Sequence, residues 1–255
     1  MPARRGHRRR VPANWDHLQK RVLRAYTNPG HVVAYSAPAT VAKYFGISPK
    51  RAKYFLEHNE GYTLHREYKR PSTYNPYYVH NRRDQVQADL IDIARIATKN
   101  DGVKFLLLII DIFTKKVWVY PLIRKTAGEM KQALQTWLNG LQVKPSKFVS
   151  DRGLEFLAAS TQLLLRNANI EWQPANGTMK AAVAERANKT IQILIYKYLT
   201  ENETLRYIDV LPRLIATYNR RPHRSLDGMS PNQADAPRNE HLVQAVAHER
   251  YAKLG

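Results

Sequence analysis

Between Lys104 and Asp111 the chain reads FLLLII, an unbroken apolar run that is far too short to span a bilayer. With its neighbours, Val103 to Ile112, it reads as a strand buried on both faces. Elements of both periods surround it. Gln85–Ile93 reads as a strand before it. Val117–Leu122 reads as a strand after it, past the polar pair Lys115-Lys116, as in a hairpin-like meander. A helix begins at Thr126, with Glu129 three residues on as a capping box. Its apolar face is Met130, Ala133, Leu134, Trp137, Leu138 and Leu141. Then follow a short strand (Lys147–Ser150), a helix (Glu155–Asn167), a short strand (Ile170–Gln173) and a long helix (Ala181–Leu199). The remainder reads as helix around Tyr207–Tyr218, a loop, and a last helix from Glu240.

The charge of the 255-residue chain narrows its partners. Forty-one Lys and Arg against twenty-one Asp and Glu give +20, and thirteen of those charges fall in residues 1–83. Such a field draws polyanions, nucleic acid before an acidic protein or an anionic membrane surface. Residues 1–35 read as a basic tail, either a solubiliser or a DNA-backbone and nuclear-import element. No apolar stretch follows its Arg cluster, so it is no secretory signal. Residues 36–60 read as helix, turn, helix. Val41, Tyr44 and Phe45 share one face, Gly46 breaks, and Ser48 with Pro49 starts a second helix. Ala52, Phe55 and Leu56 form its apolar stripe; Lys50, Arg51 and Lys53 form the face a recognition helix would turn to DNA. Residues 61–83 mix Tyr, Arg, Lys, Asn and Pro without period, as an extended linker along a nucleic-acid backbone or a plain linker does.

Strand, strand, strand, helix, strand, helix, strand, helix is the order of an α/β domain of the ribonuclease H-like type: a mixed five-stranded sheet with flanking helices, here preceded by the helix-turn-helix-like segment. Asp89 lies inside the first strand (VQADLIDI), Asp151 directly after the fourth (FVSDRGLEF), and Glu185 near the start of the long helix (AVAERANKTIQ). An acid inside a strand is costly unless paired or metal-bound. In this order those three positions converge at one end of the sheet. With no cysteine in the chain, three carboxylates suit hard cations such as Mg²⁺ or Mn²⁺. Asp92 falls on the opposite strand face from Asp89.

QADLIDI, KFLLLIIDIFTKKVWVYPLIRKTAGEM, SDRGLEF and AERANKTI together resemble the catalytic core of retroviral-type integrases and related transposases, the DDE superfamily. They are most similar to the integrase of Polinton/Maverick DNA transposons. YTLHREYKR resembles the run-in of those integrases, and YNRRPHRSLDGMSPNQA from Tyr218 the segment that closes their core. The likeness runs over roughly residues 30–236. It implies that Asp89, Asp151 and Glu185 are the catalytic and metal-binding triad, with two Mg²⁺ (or Mn²⁺) ions per active site. It implies double-stranded DNA, element end and target, as substrate, a homodimer or homotetramer on DNA, and work in the host nucleus. Asn188 and Lys189 match positions that meet DNA, and Lys180 and Arg186 flank the same helix start. Glu185, Lys189, Gln192 and Tyr196 share one helix face, with Ala187, Ile191, Leu194, Ile195 and Tyr198 on the buried side.

The chain departs from the pattern in two ways. Thirty-three residues separate Asp151 from Glu185, slightly fewer than in the integrase pattern, and no Cys/His zinc module precedes the core. Asp111 matches an acid common at the end of the second strand, either structural or supporting. His223 and Arg224 read as a turn with a possible phosphate contact. The domain scheme is therefore a basic tail (1–35), a helix-turn-helix-like domain (36–60), a basic linker (61–83), a catalytic core (84–236) and a helical extension (237–255). The expected activity is polynucleotidyl transfer: water frees a 3′-OH at an element end, and that hydroxyl attacks target DNA. A nuclease on the same fold, or a DNA-binding protein that has lost catalysis, are the alternatives.

Overall fold

The computed structural model describes residues 13–65, 79–175 and 181–252. Its sheet is built from β1 (Gln85–Asp92), β2 (Phe105–Asp111), β3 (Val117–Leu122), β4 (Lys147–Ser150) and β5 (Glu171–Pro174), in the order β3-β2-β1-β4-β5. The first three strands form an antiparallel meander, and β4 and β5 add in parallel beyond β1. Parallel pairing needs a crossover, and helices supply it. Between β3 and β4 runs α5 (Ala127–Asn139). Between β4 and β5 the single helix expected from the sequence is two, α6 (Leu154–Leu157) and α7 (Ala159–Asn167), because Ala158 is extended (ψ 134°).

The apolar run of β2 divides by parity. Leu107 and Ile109 join Val86, Ala88, Met130, Leu134 and Trp137 on the α5 side. Leu106, Leu108 and Ile110 join Ile91 and the inner face of α8 (Ala182–Glu201) on the other. Every residue from Leu106 to Ile109 is fully buried, as a strand covered on both faces requires. At the start of α5, Thr126 Oγ1 accepts from Glu129 N at 3.3 Å. The Glu129 carboxylate does not complete the expected capping box but accepts from Ile123 N and Arg124 N at 2.7 and 2.9 Å, tying the β3–α5 loop.

Ahead of the sheet lie α1 (Ala13–Thr27), α2 (Pro38–Phe45), α3 (Pro49–Leu56) and α4 (Glu60–Leu64). Gly46 closes α2 at φ 63°, and Ser48 caps α3 by accepting from Arg51 N. The expected boundaries need correction on both sides. Residues 13–27 are helix rather than tail, because Val22 and Tyr26 lie one helical turn apart and are both fully buried; residues 1–12 lie outside the described residues. The linker expected over 61–83 begins as α4 with Tyr62 buried, and residues 66–78 lie outside the described residues. In α2, Val41 and Ala42 are the buried pair, whereas Tyr44 stands exposed against the rings of His31 and Phe45.

These helices share one core with the sheet through the far end of α8. Lys197 is buried there, donating to Tyr26 Oη at 3.0 Å and Tyr35 O at 3.4 Å with its ammonium over the Tyr62 ring. Asn59 bonds Glu201, and His65 bonds Thr200 at 2.8 Å. Beyond α8, α9 (Leu211–Arg220) packs on β3, where Asn219 pairs both backbone groups of Val117. After it come α10 (Pro231–Ala234) and α11 (Glu240–Ala252). That last helix is part of the core rather than an extension: Val243 is buried, and Glu240 and Gln244 bond Arg82 N and Asn81. No helix among the described residues is long and apolar enough to cross a membrane.

Candidate active site

Gln87 of β1 pairs with Val149 of β4 in parallel register. Asp89 and Asp151 each stand two residues further along, so strand alternation brings both to one level on the same side of the sheet. The long helix α8 is laid over that point by two anchors. Gln87, fully buried, offers Oε1 to the N–H groups of Val183 and Ala184 at 3.1 Å each, satisfying amides that a helix start leaves without intrahelical partners. One turn later, Asn188 Nδ2 donates to Asp89 Oδ2 at 2.6 Å. Glu185 lies between the anchors, exposed in the first turn.

The electrostatics agree with that convergence. Burial pushes the Asp89 carboxyl up to about 6, and the negative charges of Asp151 and Glu185 add to the rise. Hydrogen bonds from Leu90 N and Asn188 only partly offset it. The donor set is all oxygen, and a carboxyl whose ionisation is opposed by two further acids fits a hard cation beside it. In the conformation described, no three His, Asp or Glu of the described residues are gathered closely enough to hold one ion. Asp89 Oδ2 is engaged by Asn188, and Asp151 Oδ1 by Gly153 N at 3.0 Å.

This raised pKa has a measurable consequence. Its folded value lies above the unfolded one, so between about pH 4 and 6 the folded chain keeps a proton that the unfolded chain has lost. Metal-free stability should therefore fall as pH rises through that window. Asp89→Asn has no such proton. It should flatten the dependence and be more stable at pH 7, by about 1 kcal/mol once partial solvent exposure is discounted. Denaturation in chelator from pH 4 to 7 checks this, and superimposable curves for the two proteins would refute a destabilising acid cluster.

The expected DNA-contact residues divide. Lys189 and Arg186 are exposed on α8, and Lys50 and Lys53 on α3. Arg51 is half-buried, its guanidinium over the Phe55 ring at 5.6 Å, and Lys53 lies 3.6 Å from Glu57. Asn188 needs correction: at 8% exposure and bonded to Asp89, it positions the carboxylate rather than facing outward. Lys180 lies outside the described residues. Asp92 is exposed at the end of β1, accepting from Ala94 N. Asp111 lies apart from the triad, fully buried and bonded to Arg83 N, Arg83 Nη1, Phe113 N and Thr114 Oγ1. His223 forms the local turn, its Nδ1 meeting Ser225 N and Oγ. Gln87 was missed by the sequence reading. Its signal is a polar residue in an apolar strand, two positions before Asp89 and therefore on the same face.

No protein-family model matches the chain. A transposon-derived protein of Caenorhabditis elegans is 33% identical over 134 residues, covering 52% of this chain and 47% of its own length. The Gag-Pol polyprotein of avian reticuloendotheliosis virus is 28% identical over 143 residues, 55% of this chain and 12% of the polyprotein. That of walleye dermal sarcoma virus is 25% identical over 186 residues, 70% of this chain and 10% of the polyprotein. The chain thus spans about half the length of the first of these relatives and about a tenth of the other two. Among solved structures, the HTLV-2 integrase catalytic core domain in complex with magnesium superimposes with a TM-score of 0.50 at 22% identity, over 59% of this chain and 95% of that one. A chain of the simian T-cell lymphotropic virus intasome, in complex with a PP2A regulatory subunit, does so with 0.56 at 19% identity, over 83% and 76%. The fold is the ribonuclease H-like fold of a retroviral integrase core, and the sequence relatives are transposon-derived and retroviral.

Proposed function

We propose that this chain is a DNA integrase that processes the 3′ ends of a mobile element and joins them to target DNA, of the kind encoded by Polinton/Maverick transposons. The observation that supports the reading is the placement of Asp89 and Asp151 two residues beyond the paired Gln87 and Val149, with the charges of Asp151 and Glu185 both acting on Asp89, on a fold shared with integrase cores. Asp89, Asp151 and Glu185 would hold the divalent ions. Two such ions, when bound, would supply activation of the attacking oxygen and charge stabilisation of the leaving one in phosphodiester displacement. The chain's own residues set the geometry. Gln87 fixes the start of α8, Asn188 holds one oxygen of Asp89, and Lys189 stands on the same exposed face as Glu185. Exposed basic residues on α3 and at the start of α8 would meet DNA phosphates, and nuclear residence in a host cell and assembly as a dimer or tetramer follow from the same proposal.

The test is strand transfer with Mg²⁺, using an end-mimicking duplex and a separate target duplex. Joined products support the reading. Cleavage alone would make the protein a nuclease, and binding without cleavage a DNA-binding protein on an integrase fold. With +20 of charge, binding should weaken steeply with salt, the logarithmic slope approaching −0.9 per phosphate neutralised. Changing Lys50 and Lys53 to Glu should erase the preference for an element end over random duplex. Because both are exposed, thermal stability should shift little. A joint loss of stability and binding would assign α3 to packing alone.

A further inference from the structure

The α8 side of β1 carries Gln87, Asp89 and Ile91 in alternation, and the first of them is a polar residue with no exposure at all. The layer around it is apolar. Ile110 is its neighbour across the β1–β2 pairing, and Ile110 and Ala184 belong to one core. A carboxamide placed there is costly unless its polar atoms are bonded. One of the two is. Oε1 accepts from Val183 N and Ala184 N at 3.1 Å each, whereas Nε2 has no hydrogen-bond partner among the described residues.

Those two amides are the ones that a helix cap serves. Ala182 opens α8, so Val183 and Ala184 stand at its second and third positions, where an N-cap side chain accepts. Ala181, at the cap position, has no side-chain acceptor, and Glu185 N makes the first bond of the helix, to Ala181 O at 2.8 Å. The cap is therefore delivered from β1, 96 residues away in sequence, onto the turn that carries Glu185. A second bond fixes the register. From Gln87 to Asp89 the strand advances about 6.6 Å. From Val183 and Ala184 to Asn188 the helix advances about 6–7.5 Å. The steps match, so both anchors close together, Gln87 on the first turn and Asn188 on Asp89 at 2.6 Å.

The unpaired Nε2 bears on why the residue is an amide. A glutamate would accept from the same two N–H groups with no hydrogen left over, and a helix N-terminus favours negative charge. It would also add a charge two residues from Asp89, where those of Asp151 and Glu185 already act. We infer that Gln87 is a positioning residue of the divalent-ion site: as the cap of α8 supplied by β1, it sets where Glu185 stands relative to Asp89, and so how tightly an ion is held. The inference rests on the ion-binding role proposed for the three acids and adds a residue that acts only through α8.

The test is calorimetric titration of the full chain with Mn²⁺ alone, beside hydrogen–deuterium exchange of the metal-free protein. Gln87→Leu keeps the volume, loses the acceptor and suits an apolar layer, so its melting temperature should change little; Gln87→Met, unbranched like Gln, takes its place if the leucine does not fold. Either should bind Mn²⁺ at least roughly tenfold more weakly. Residues 182–186 should exchange at least roughly tenfold faster, with β1 and α9 unchanged. Gln87→Glu, which keeps the acceptor, should bind Mn²⁺ at least as tightly as the parent and exchange as slowly. Parental Mn²⁺ affinity in the apolar variant overturns the inference and leaves the ion site standing. A loss that Gln87→Glu shares also overturns it, because the acceptor would not be what matters. A parent that binds no Mn²⁺ removes the ion site, and the inference with it.

Discussion

Asp89→Asn should lose strand transfer and 3′-end processing by at least roughly three orders of magnitude, about 4 kcal/mol of transition-state stabilisation. The substitution keeps the shape of the side chain and removes the charge. Asn188 can still donate to the remaining amide oxygen, so the bond that ties α8 to β1 has a replacement acceptor. What disappears is the acid whose ionisation Asp151 and Glu185 oppose, and with it the charge that a divalent ion would need. Because the same change removes an electrostatic penalty, metal-free stability should rise as activity falls. Opposite signs separate a functional acid from a structural one, since a structural acid loses both together. Asp92→Asn is the internal control. That residue is exposed at the strand end and, among the described residues, bonds the local Ala94 amide, so its rate should stay within roughly twofold of the parent. Measuring Mg²⁺-dependent joining for both variants, with folding followed by circular dichroism, decides the matter. A fully active Asp89→Asn protein would remove the triad.

The sheet was legible because it rests on local pattern, and the three acids proposed for the site stand out for the same reason. FLLLII has no polar face, so β2 must be covered on both sides, and the observed division of its side chains between two helical layers follows. Asp89 stood out as an acid within an apolar strand, and Asp151 and Glu185 as acids at element ends. The amino-terminal helix was not read. Leu18, Val22 and Tyr26 recur every fourth residue, the spacing of a buried helix face. Yet the Arg-dense first ten residues made the whole segment resemble a tail. Tertiary pairing hid the rest. Nothing in the sequence singles out Lys197, and only the convergence of Tyr26, Tyr35 and Tyr62 makes it an internal anchor. Asn188 reads as an outward DNA contact until β1 is placed beneath α8. No periodicity encodes which distant element a polar side chain will meet.

Asp111 was the residue that sequence could not decide, and its surroundings predict the second large effect. It ends β2 fully buried and accepts four hydrogen bonds, two of them from Arg83. Arg83 bridges onward to Asp235 at 2.6 Å and lies over the Trp118 ring, and Lys116 closes the group on Asp235 at 2.6 Å. The network joins the run-in to β1, the β2–β3 hairpin and the segment after α10, three pieces far apart in sequence. Replacing a whole buried ion network with apolar groups is often neutral, but removing one partner leaves an uncompensated charge and costs about 3–5 kcal/mol. Asp111→Ala does the latter. It orphans Arg83 Nη1, the Thr114 hydroxyl and two backbone amides around a fully buried position. A loss of that size is a large share of the roughly 5–15 kcal/mol that holds a typical domain together. Asp235→Ala should cost less, because Asp235 retains some exposure and leaves Asp111 to hold Arg83. Urea denaturation of both variants gives the ranking. Strand transfer, measured well below the melting temperature, should persist in whatever Asp111→Ala protein is folded. If Asp111→Ala kept its stability but lost joining, Asp111 would belong to the catalytic site, and its apparent separation from Asp89 would not reflect the working state.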